Sequence, residues 1–485
     1  MQIYNTLTRK KETFVPINEG KVNMYVCGIT AYDLCHIGHA RSAVVFDVLV
    51  RYLRHTGLDV TFARNFTDVD DKIIKRANES GMESEAVAEK YIEAFYEDMD
   101  KLNIVRADIE PKATLHITEM IELCERLIAK DKAYSTPNGD VYFRVRSFPE
   151  YGKLSGRDID DMRAGARVAI GEEKEDPLDF ALWKGAKPHE PSWTSPWGQG
   201  RPGWHIECSA MSEKHMPLPL DIHGGGQDLI FPHHENEIAQ TEAALDKEFV
   251  RYWMHNGFVQ VDAEKMSKSL NNFKTIRDIL EGYDAEVLRF FLLTKHYRSP
   301  IDFTFTVMDE SEKNLKRIYE ALGQIATELQ RAKWSGTALP VEITAEFDSL
   351  NAAFYQAMED DMNTAAALGH IFGIVRLVNR VLEDKTLRKG QGARELFTKV
   401  LEAVTQWSSI LGVLHRAPAD FMVALKASRV ARKRIDVAQV EALLDQRKEA
   451  RAAKDFARSD AIRDELSTLG VDVRDTPAGM EWDVA

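Results

Sequence analysis

Two short strings of polar residues have the composition expected of a phosphate-binding site. The first, His36-Ile37-Gly38-His39, precedes a segment with helical periodicity, where helix N-terminal amides favour an anion and the glycine permits close approach. The second, Lys265-Met266-Ser267-Lys268-Ser269, offers two cations and two hydroxyls, which suit charge that accumulates on departing pyrophosphate. Each string alone could be a structural turn or a solvated loop. Together they predict a site that handles the phosphates of ATP.

A second set of residues has donor types suited to a metal ion. His233 and Glu237 are four apart on a predicted helix and share one face, and Cys27 and Cys208 are expected at element ends in two half-domains. Donors of types S, S, N and O suit tetrahedral zinc. The spacing is not that of a CxxC finger, so buried structural cysteines are the alternative. Competing donors are Cys35, His205, Glu235 and, most seriously, His234.

The elements that must position these residues alternate between strand and helix. A strand at Val22–Val26 ends in Cys27-Gly28, and helical periodicity follows from Ala40 to Leu53. Val60–Asn65 then reads as a second strand, and Asp70–Leu102 as a long helix that breaks near Ser80-Gly81-Met82. This alternation predicts a parallel sheet that binds ligands at the carboxyl ends of its strands.

The rest of the chain divides into segments that differ in composition and periodicity. Residues 115–203 form an irregular, inserted stretch, after which a strand at Leu218–His223 and a helix from Pro232 resume the α/β pattern. From Phe305 to about Leu414 the sequence is persistently helical, with interruptions at 334–336 and 389–392. A linker at 416–420 then leads to a small α-rich module.

Composition restricts the class of protein. At 485 residues the chain exceeds the size of a single core, so several domains are expected. Four cysteines are too few for a disulfide scaffold, and no apolar run resembles a signal peptide or a membrane span, which predicts a cytoplasmic protein. The net charge of −14 argues against a protein that coats nucleic acid. A local basic surface remains open; its candidates are Lys426, Arg429, Arg432, Lys433 and Arg434.

In this order on an α/β frame, the two phosphate strings resemble class I aminoacyl-tRNA synthetases. Further strings narrow the resemblance to the cysteinyl-tRNA synthetase family. They are Arg64-Asn65-Phe66-Thr67-Asp68-Val69-Asp70-Asp71-Lys72-Ile73, Gly203-Trp204-His205-Ile206-Glu207-Cys208-Ser209, Asp221-Ile222-His223-Gly224-Gly225-Gly226, the stretch from Asp228 to Gln240, and the C-terminal Ala453-Lys454-Asp455-Phe456 and Asp460-Ala461-Ile462-Arg463. The likeness therefore runs nearly from end to end.

The resemblance implies an α/β fold with a Rossmann-type parallel-sheet catalytic domain, an inserted subdomain, an α-helical bundle and a small C-terminal module. The predicted boundaries are 1–115 and 203–255 for the two halves of the catalytic domain, 116–202 for the inserted connective subdomain, 256–310 for the lysine-loop and stem-contact region, 311–415 for the tRNA anticodon-side bundle and 421–485 for the anticodon-recognition module.

The resemblance also implies the activity. Such an enzyme activates L-cysteine with ATP to cysteinyl-adenylate, releases pyrophosphate and transfers cysteine to the 3′ end of tRNA(Cys). It implies one zinc ion per chain, held by Cys27, Cys208, His233 and Glu237, with Mg²⁺ entering as part of the ATP substrate. Cysteine and serine differ by one atom, but only the softer, more acidic thiol gains much from binding zinc, so no editing site is expected. A monomer without a membrane partner is the expectation.

Roles for individual residues follow from the same resemblance. His36 and His39 would bind phosphates, Gly38 would give room for the nucleotide, and Lys265 and Lys268 would stabilise the transition state. Residues expected near the substrate are Thr67, Trp204 and His223 for the amino acid, and Asp228 for its ammonium group or the ribose hydroxyls. Residues expected to contact tRNA are Arg451, Phe456, Asp460 and Asp475.

Two residues depart from the family pattern. Phe456 stands where some relatives have tryptophan, and its phenyl ring can still stack although the indole donor is lost. Asn271 stands where glycine is common after the lysine loop, and asparagine tolerates a positive φ, so the question it raises is the mobility of that loop.

Two other functions remain as alternatives. One is a cysteine ligase of the mycothiol pathway, which shares the catalytic domain but joins activated cysteine to an amino sugar. The other is a tRNA-binding paralogue that has lost catalysis. The C-terminal module argues against the first alternative, and the two intact phosphate strings argue against the second.

Overall fold

The computed structural model describes residues 1–158, 173–261, 264–265, 274–476 and 479–484. The described strands are β1 (Gln2–Asn5), β2 (Lys10–Thr13), β3 (Lys21–Thr30), β4 (Asp59–Thr67), β5 (Ala133–Ser135), β6 (Val141–Phe143), β7 (Phe180–Gly185), β8 (Trp193–Ser195), β9 (Gly198–Pro202), β10 (Leu220–Gly226), β11 (Val250–Asn256), β12 (Val259–Val261), β13 (Glu264–Lys265), β14 (Ile301–Phe303), β15 (Val471–Thr476) and β16 (Gly479–Val484).

The described α-helices are α1 (Ile37–His55), α2 (Asp71–Ser80), α3 (Ser84–Lys101), α4 (Ile117–Ala129), α5 (Trp204–His215), α6 (Glu235–Leu245), α7 (Ile276–Leu280), α8 (Ala285–Leu293), α9 (Phe305–Leu329), α10 (Val341–Glu359), α11 (Thr364–Glu383), α12 (Gln391–Leu411), α13 (Pro418–Lys433), α14 (Val437–Ala452) and α15 (Phe456–Thr468). Short 3₁₀ turns occur at Ala113–Leu115, Val145–Ser147, Gln227–Leu229 and Leu387–Lys389, and a π-type turn at Ile230–His234.

A four-stranded parallel sheet organises the N-terminal half, in the order β11-β10-β3-β4. The chain passes outwards from β3 to β4 on one side and from β10 to β11 on the other. Strand order therefore reverses between β3 and β10, and such a reversal opens a crevice at the carboxyl ends of the strands. The predicted α/β fold with a parallel sheet is confirmed, and the crevice lies where the sequence suggested that ligands bind.

Strand β3 is longer than the sequence predicted. It continues past Val26 to Thr30, with a register irregularity against β4 between Val26 and Ile29. At this irregularity Gly28 approaches β4 so closely that a Cβ atom there would lie 1.6 Å from the carbonyl oxygen of Asn65. The glycine therefore permits close strand contact inside β3 and does not end the strand.

The helical predictions around this sheet agree with the structure apart from their ends. The long helix after β4 is broken as predicted, because Gly81 adopts a left-handed conformation with φ 65° and ends α2 before α3 begins. The helix predicted from Pro232 instead begins at Glu235. The preceding residues form the π-type turn, in which Phe231 has extended backbone angles.

The inserted stretch contains a five-stranded antiparallel sheet in the order β5-β6-β7-β9-β8. Its apolar side chains share one core with α4, α5 and α6, and that core includes Trp183, Leu182 and Cys208. A core continuous with the catalytic half holds this subdomain against the helix that carries Cys208. The insertion thereby supports the predicted metal site.

Helices α9 to α12 form the predicted bundle, which has one further break at residues 360–363. Among the described residues, α11 alone is long and apolar enough to span a membrane, and 56% of its apolar window is buried. Such burial is equally typical of the core helix of a soluble protein.

The C-terminal module contains α14, α15 and a hairpin, β15–β16, that the α-rich prediction did not include. Its own small core comprises Val440, Leu443, Ile462, Leu466 and Val471. The domain boundaries given above stay a prediction.

Candidate active site and metal centre

The first predicted string forms the N-terminal turn of α1, directly after β3. His36 is the N-cap residue, and its Nδ1 accepts a hydrogen bond from the Gly38 amide at 3.0 Å. The His36 amide donates in return to Nδ1 of His39 at 3.2 Å, and the two rings stack with centroids 3.8 Å apart. Because each Nδ1 accepts, the neutral rings carry their protons on Nε2. The turn therefore supplies two N–H donors of a kind that binds phosphate oxygens.

A cavity of about 420 Å³ extends along the carboxyl ends of β3 and β10. His36, Gly38 and His39 line one part of it, and Cys27 and Trp204 line another. The phosphate string and a predicted metal ligand thus open onto the same space. Asp228, in the 3₁₀ turn after β10, also lines this cavity, and its role near the substrate stays a prediction.

The four predicted metal ligands lie together. Strand β3 contributes Cys27, α5 contributes Cys208, the π-type turn contributes His233, and α6 contributes Glu237. The two sulfur atoms are 3.6 Å apart, Glu237 Oε1 lies 3.5 Å from Cys27 Sγ, and His233 Nε2 lies 3.0 Å from the same Oε1. All four donor atoms are within 4.8 Å of one another, which is the spacing required of ligands that share one ion.

The two cysteines do not lie at element ends, contrary to the prediction. Cys27 lies inside β3, at its irregularity, and Cys208 lies one turn into α5. The irregular strand brings Cys27 towards α5, and the shared core under the inserted sheet fixes α5 in place. Periodicity alone could not show either effect because both depend on contacts between distant segments.

A second group of donors lies within the same distance limit, comprising Cys27, His223, His234 and Glu237. His223 uses both ring nitrogens, since Nδ1 lies 2.9 Å from the Tyr25 carbonyl oxygen and Nε2 lies 2.8 Å from Glu237 Oε2. His234 Nε2 lies 3.3 Å from Cys27 Sγ. These two histidines can therefore act as partners of the ligands as well as ligands themselves.

The other competing donors have different surroundings. His205 Nδ1 lies 3.0 Å from His233 Nδ1, and the carboxylate of Glu235 accepts hydrogen bonds from the amides of Leu154 and Ser155. Cys35 is buried near the start of α1, and burial raises the pKa of its thiol far above the usual value. None of the three belongs to either group of donors found among the described residues.

The charges in the cluster interact strongly. A hydrogen bond from Cys27 lowers the pKa of Cys208 to about 6, whereas burial, with Cys208 adding to it, raises the pKa of Cys27 well above its usual range. Burial opposes ionisation of Glu237, but His223 and His233 outweigh it and hold the pKa of this carboxyl well below normal. One thiolate and one carboxylate are thus available to a cation.

The two neighbouring histidines of the cluster have pKa values that are shifted in opposite directions. Burial disfavours a charged His233, but Glu237 and Cys208 outweigh it and raise the pKa of His233 to about 10. For His234, burial together with His223 lowers the pKa well below 6.5. The negative charges of Glu237 and Cys208 therefore favour the protonated form of His233, whereas His234 remains a neutral ring.

Of the remaining residues predicted near the substrate, one lines the cavity and two do not. Trp204 is 37% exposed, lines the cavity and stacks on His233 with centroids 4.2 Å apart. Thr67 is buried at the end of β4 and donates to Glu207 Oε2 at 2.6 Å. Neither Thr67 nor His223 is among the residues that line the cavity. Both lie behind residues that face the substrate space.

The second predicted string is described only in part. The backbone of Lys265 belongs to β13 and pairs with Gln260 of β12. Lys268, for which a transition-state role was predicted, and Asn271, which raised the question of the mobility of the loop, lie outside the described residues.

The predicted tRNA-contact residues all lie in the C-terminal module. Arg451 and Asp475 form an ion pair with each other, and Arg447 donates to the same carboxylate at 2.9 Å. Phe456 is 64% exposed at the start of α15, and Asp460 is exposed one turn later. None of the four residues lines the catalytic cavity.

Sequence reasoning missed several partners of these residues. Tyr25, whose carbonyl orients His223, and His255, whose Nε2 lies 2.8 Å from His234 Nδ1, were not considered. Glu207 was part of a quoted string but received no role, although its buried carboxylate holds Thr67. Tyr25 lies two residues before Cys27 on the same strand, so strand alternation could have indicated that its side chain shares a face with Cys27, but not the contact of its carbonyl.

Comparisons with known proteins agree with this geometry. Residues 13–313 match the class I (C) catalytic domain of tRNA synthetases, residues 353–415 a DALR domain, and residues 437–482 a cysteinyl-tRNA ligase anticodon binding domain. The chain is 78% identical over 484 residues to a cysteine–tRNA ligase of Nitratidesulfovibrio vulgaris strain Hildenborough, with full coverage of both chains. The chain belongs to the cysteine–tRNA ligase family. The resemblance inferred from the sequence strings is thereby confirmed.

Other cysteine–tRNA ligases show the same full-length similarity. The proteins of Oleidesulfovibrio alaskensis and Lawsonia intracellularis are 70% and 58% identical to this chain, again with complete coverage. The chain is therefore a ligase with the class I catalytic domain, and the predicted enzyme class is confirmed.

Solved structures share the fold at much lower identity. Mycobacterium tuberculosis methionyl-tRNA synthetase in complex with methionyl-adenylate aligns with a TM-score of 0.62 at 15% identity, over 81% of this chain and 92% of its own. A putative arginyl-tRNA synthetase from Campylobacter jejuni aligns with a TM-score of 0.58 at 14% identity, over 82% and 94% of the two chains. At these identities the likeness concerns the fold alone.

Proposed function

We propose that this member of the cysteine–tRNA ligase family activates L-cysteine with ATP in the cavity between β3 and β10, and then transfers the cysteinyl group to the 3′ end of tRNA(Cys). One observation carries the proposal. The His36–His39 turn and the Cys27 cluster open onto a single cavity, so a nucleotide phosphate and a thiol can be held side by side. The anticodon-type module at residues 437–482 favours tRNA as the acceptor over an amino sugar.

The donor set of Cys27, Cys208, His233 and Glu237 fits one zinc ion better than the alternative group. It offers two sulfur atoms in place of one, and zinc binds thiolate strongly. If the alternative group held the ion, the acidic thiol of Cys208 would remain beside it without a role. In the preferred set His223 holds the second oxygen of Glu237, which is the usual way in which a ligating carboxylate is oriented.

A zinc ion held by these residues would bind the substrate thiolate in preference to a hydroxyl and so distinguish cysteine from serine. Trp204 closes the side of this pocket, because its ring covers that of His233. Asp228, which lines the cavity, is the group that would receive the substrate ammonium, and Thr67, held by Glu207, would support this pocket from behind. His223 supports the pocket through Glu237, and this contact favours an indirect role over direct contact with cysteine.

The ATP phosphates would lie against the start of α1. The Nε2–H groups of His36 and His39 would donate to phosphate oxygens, and Gly38 has no side chain that would obstruct the nucleotide. The cysteine carboxylate is already ionised at neutral pH, so it can attack the α-phosphate without a general base. Lys265 and Lys268 would balance the charge on departing pyrophosphate, and Mg²⁺ would arrive with ATP.

The C-terminal module would recognise the anticodon. Phe456 presents an exposed ring for stacking on a base, while Asp460 and the Arg451–Asp475 pair offer polar contacts in the same module. A cytoplasmic, monomeric enzyme is the form that accords with this function.

Two assays test the proposal with the full-length, zinc-loaded protein. The first measures cysteine-dependent exchange of pyrophosphate into ATP, with serine as the control substrate. The second measures charging of tRNA(Cys) against ligation of cysteine to glucosaminyl inositol. We expect exchange with cysteine and none with serine. We also expect transfer of cysteine to tRNA(Cys) and none to glucosaminyl inositol. Exchange without tRNA charging would reject the acceptor, and no exchange at all would favour a protein that only binds tRNA.

A further inference from the structure

Arg289 is a completely buried cation at a junction of three segments. It lies on α8, and its Nε donates to the carbonyl oxygen of Leu411, at the end of α12, at 2.8 Å. Its Nη1 donates to the carbonyl oxygens of Leu102 and Asn103, after α3, at 2.9 and 3.0 Å. Its Nη2 donates to the carboxylate of Asp47 on α1. All three nitrogens are used, which satisfies a charge that would be costly to bury otherwise.

Asp47 connects this junction to the nucleotide cavity, which it lines. Its Oδ1 accepts from the Val105 amide and its Oδ2 from Arg51 Nε, each at 2.8 Å, in addition to Arg289. Helix α1 begins at the His36–His39 turn, and a hydrogen-bonded helix moves as a unit. The position of Asp47 therefore sets the position of the turn that would bind the phosphates.

The other side of the junction is the segment that leads to the C-terminal module. Gly412 follows α12 with φ 67°, and a Cβ atom there would lie 2.4 Å from the guanidinium carbon of Arg289. Two residues further on, the amide of Leu414 donates to Glu286 Oε1 at 2.6 Å, and Glu286 lies one turn before Arg289 on α8. Helix α8 thus holds both the linker and, through Arg289, helix α1.

We propose that Arg289 is a positioning residue for the nucleotide site, which ties helix α1 to the junction between the helical bundle and the C-terminal module. The inference rests on the proposed function of the His36–His39 turn. Arg289 acts through Asp47 and does not reach the reacting atoms. The cysteine cluster is built on β3, α5, the π-type turn and α6, so a displacement of α1 affects ATP and leaves the binding of cysteine unchanged.

Substitution of Arg289 tests this separation in the pyrophosphate exchange assay, which requires no tRNA. For Arg289→Met we expect the KM for ATP to rise about tenfold while the KM for cysteine stays within about twofold, since small displacements of reacting groups are costly. Arg289→Lys keeps a cation beside Asp47 and should recover part of the loss. Leu377→Ala, in the buried core of α11, serves as a control for reduced stability.

Gly412→Ala tests the junction from the linker side, without removing any hydrogen-bonding side chain. The new methyl group would press on the Arg289 guanidinium, so the KM for ATP should again rise, by about fivefold or more. Gly81→Ala is the matched control, because Gly81 also ends a helix, has φ 65° and has no atom within 4 Å of its Cβ position. It carries the same backbone strain without the contact and should leave both KM values within about twofold.

The outcomes are distinct. An ATP-specific rise in KM for Arg289→Met and Gly412→Ala, absent in Gly81→Ala and Leu377→Ala, supports the inference. Unchanged ATP KM in both variants, or equal changes for ATP and cysteine, overturns it and leaves Arg289 a structural residue. Absence of cysteine-dependent exchange in the unmodified protein would instead reject the proposed function, so the two failures can be told apart.

Discussion

His223 Nε2 lies 2.8 Å from Glu237 Oε2, and both side chains are completely buried. The other ring nitrogen contacts the Tyr25 carbonyl oxygen, so the imidazole is fixed from both sides. Its contact leaves Oε1 of Glu237 directed towards Cys27 and His233. The carboxylate is thus oriented for a metal by a residue outside the preferred ligand set.

His223→Phe should therefore weaken zinc binding without removing a ligand. We expect a loss of about 10- to 100-fold in affinity, the usual effect of deleting an outer partner of a metal ligand. Competition between the protein and a chromophoric chelator measures it. Unchanged affinity would show that Glu237 needs no such support, and complete loss would indicate that His223 itself binds the ion.

The choice between His233 and His234 can be tested directly. His233→Ala should lower zinc affinity by more than about a hundredfold, a larger effect than that of an outer partner. His234→Ala should retain zinc, since His234 contacts Cys27 from outside the preferred set. Metal content after dialysis against chelator is the measurement, with Cys208→Ser and Glu237→Ala as further ligand variants. The reverse result for the two histidines would select the alternative donor group.

Gly28→Ala should destabilise the catalytic half. The added methyl group would lie 1.6 Å from the Asn65 carbonyl oxygen, so β3 and β4 must separate beside Cys27. We expect the free energy of unfolding to fall by about 3 kcal/mol, as in overpacked cores. Thermal unfolding measures it, with Gly336→Ala as control because Gly336 lacks a positive φ and its Cβ would meet no atom within 4 Å. Equal melting temperatures for the two variants would contradict the close contact.

Phe456→Ala should weaken tRNA binding and leave amino acid activation unchanged. A stacked base contributes about 1–3 kcal/mol, which corresponds to a rise in the KM for tRNA of about tenfold. Phe456 is 64% exposed, so its loss should not affect folding. Val423→Ala is a matched control, because Val423 is 71% exposed on α13, outside the region that matches the anticodon-binding domain. Equal effects in both variants would remove Phe456 from the tRNA surface.

The pair His116–His215 should make stability depend on pH. Their Nε2 atoms are 2.7 Å apart, and since His116 Nδ1 donates to the Lys112 carbonyl oxygen, His116 Nε2 accepts from His215. Burial, followed by His116, lowers the pKa of His215 below its ordinary 6.5. The unfolded chain therefore binds more protons than the folded protein below about pH 6.5, and the contribution of this pair to the free energy of unfolding falls as the pH is lowered from there.

His215→Gln should reduce that pH dependence. Melting temperatures of the zinc-loaded protein and the variant, measured between about pH 7.5 and 5.5, should converge at the acid end, because the variant lacks the imidazole whose pKa is lowered by folding. Titration of the metal ligands cancels in the difference between the two proteins. Parallel curves would show that the pair does not titrate on unfolding.

The sequence by itself determined features that depend on short separations. It located the strand, loop and helix around His36, the break near Gly81, and the proximity of His233 to Glu237 four residues later, because backbone geometry and side-chain periodicity fix these locally. The contact forms although His233 lies in the π-type turn before α6. Motif strings, extended by their resemblance to a family, supplied the enzyme class. None of these required knowledge of which segments meet.

Only the tertiary structure decided how the distant parts combine. Cys27 and Cys208 are separated by 181 residues, and their contact depends on an irregular strand and on a core shared with the inserted sheet. The roles of His223 and His234 depend on which neighbours contact their second ring nitrogens. The positioning role inferred for Arg289 depends on the three segments to which its guanidinium donates hydrogen bonds. These relationships arise because a buried polar group without a partner is costly, and packing in space decides which partner is within reach.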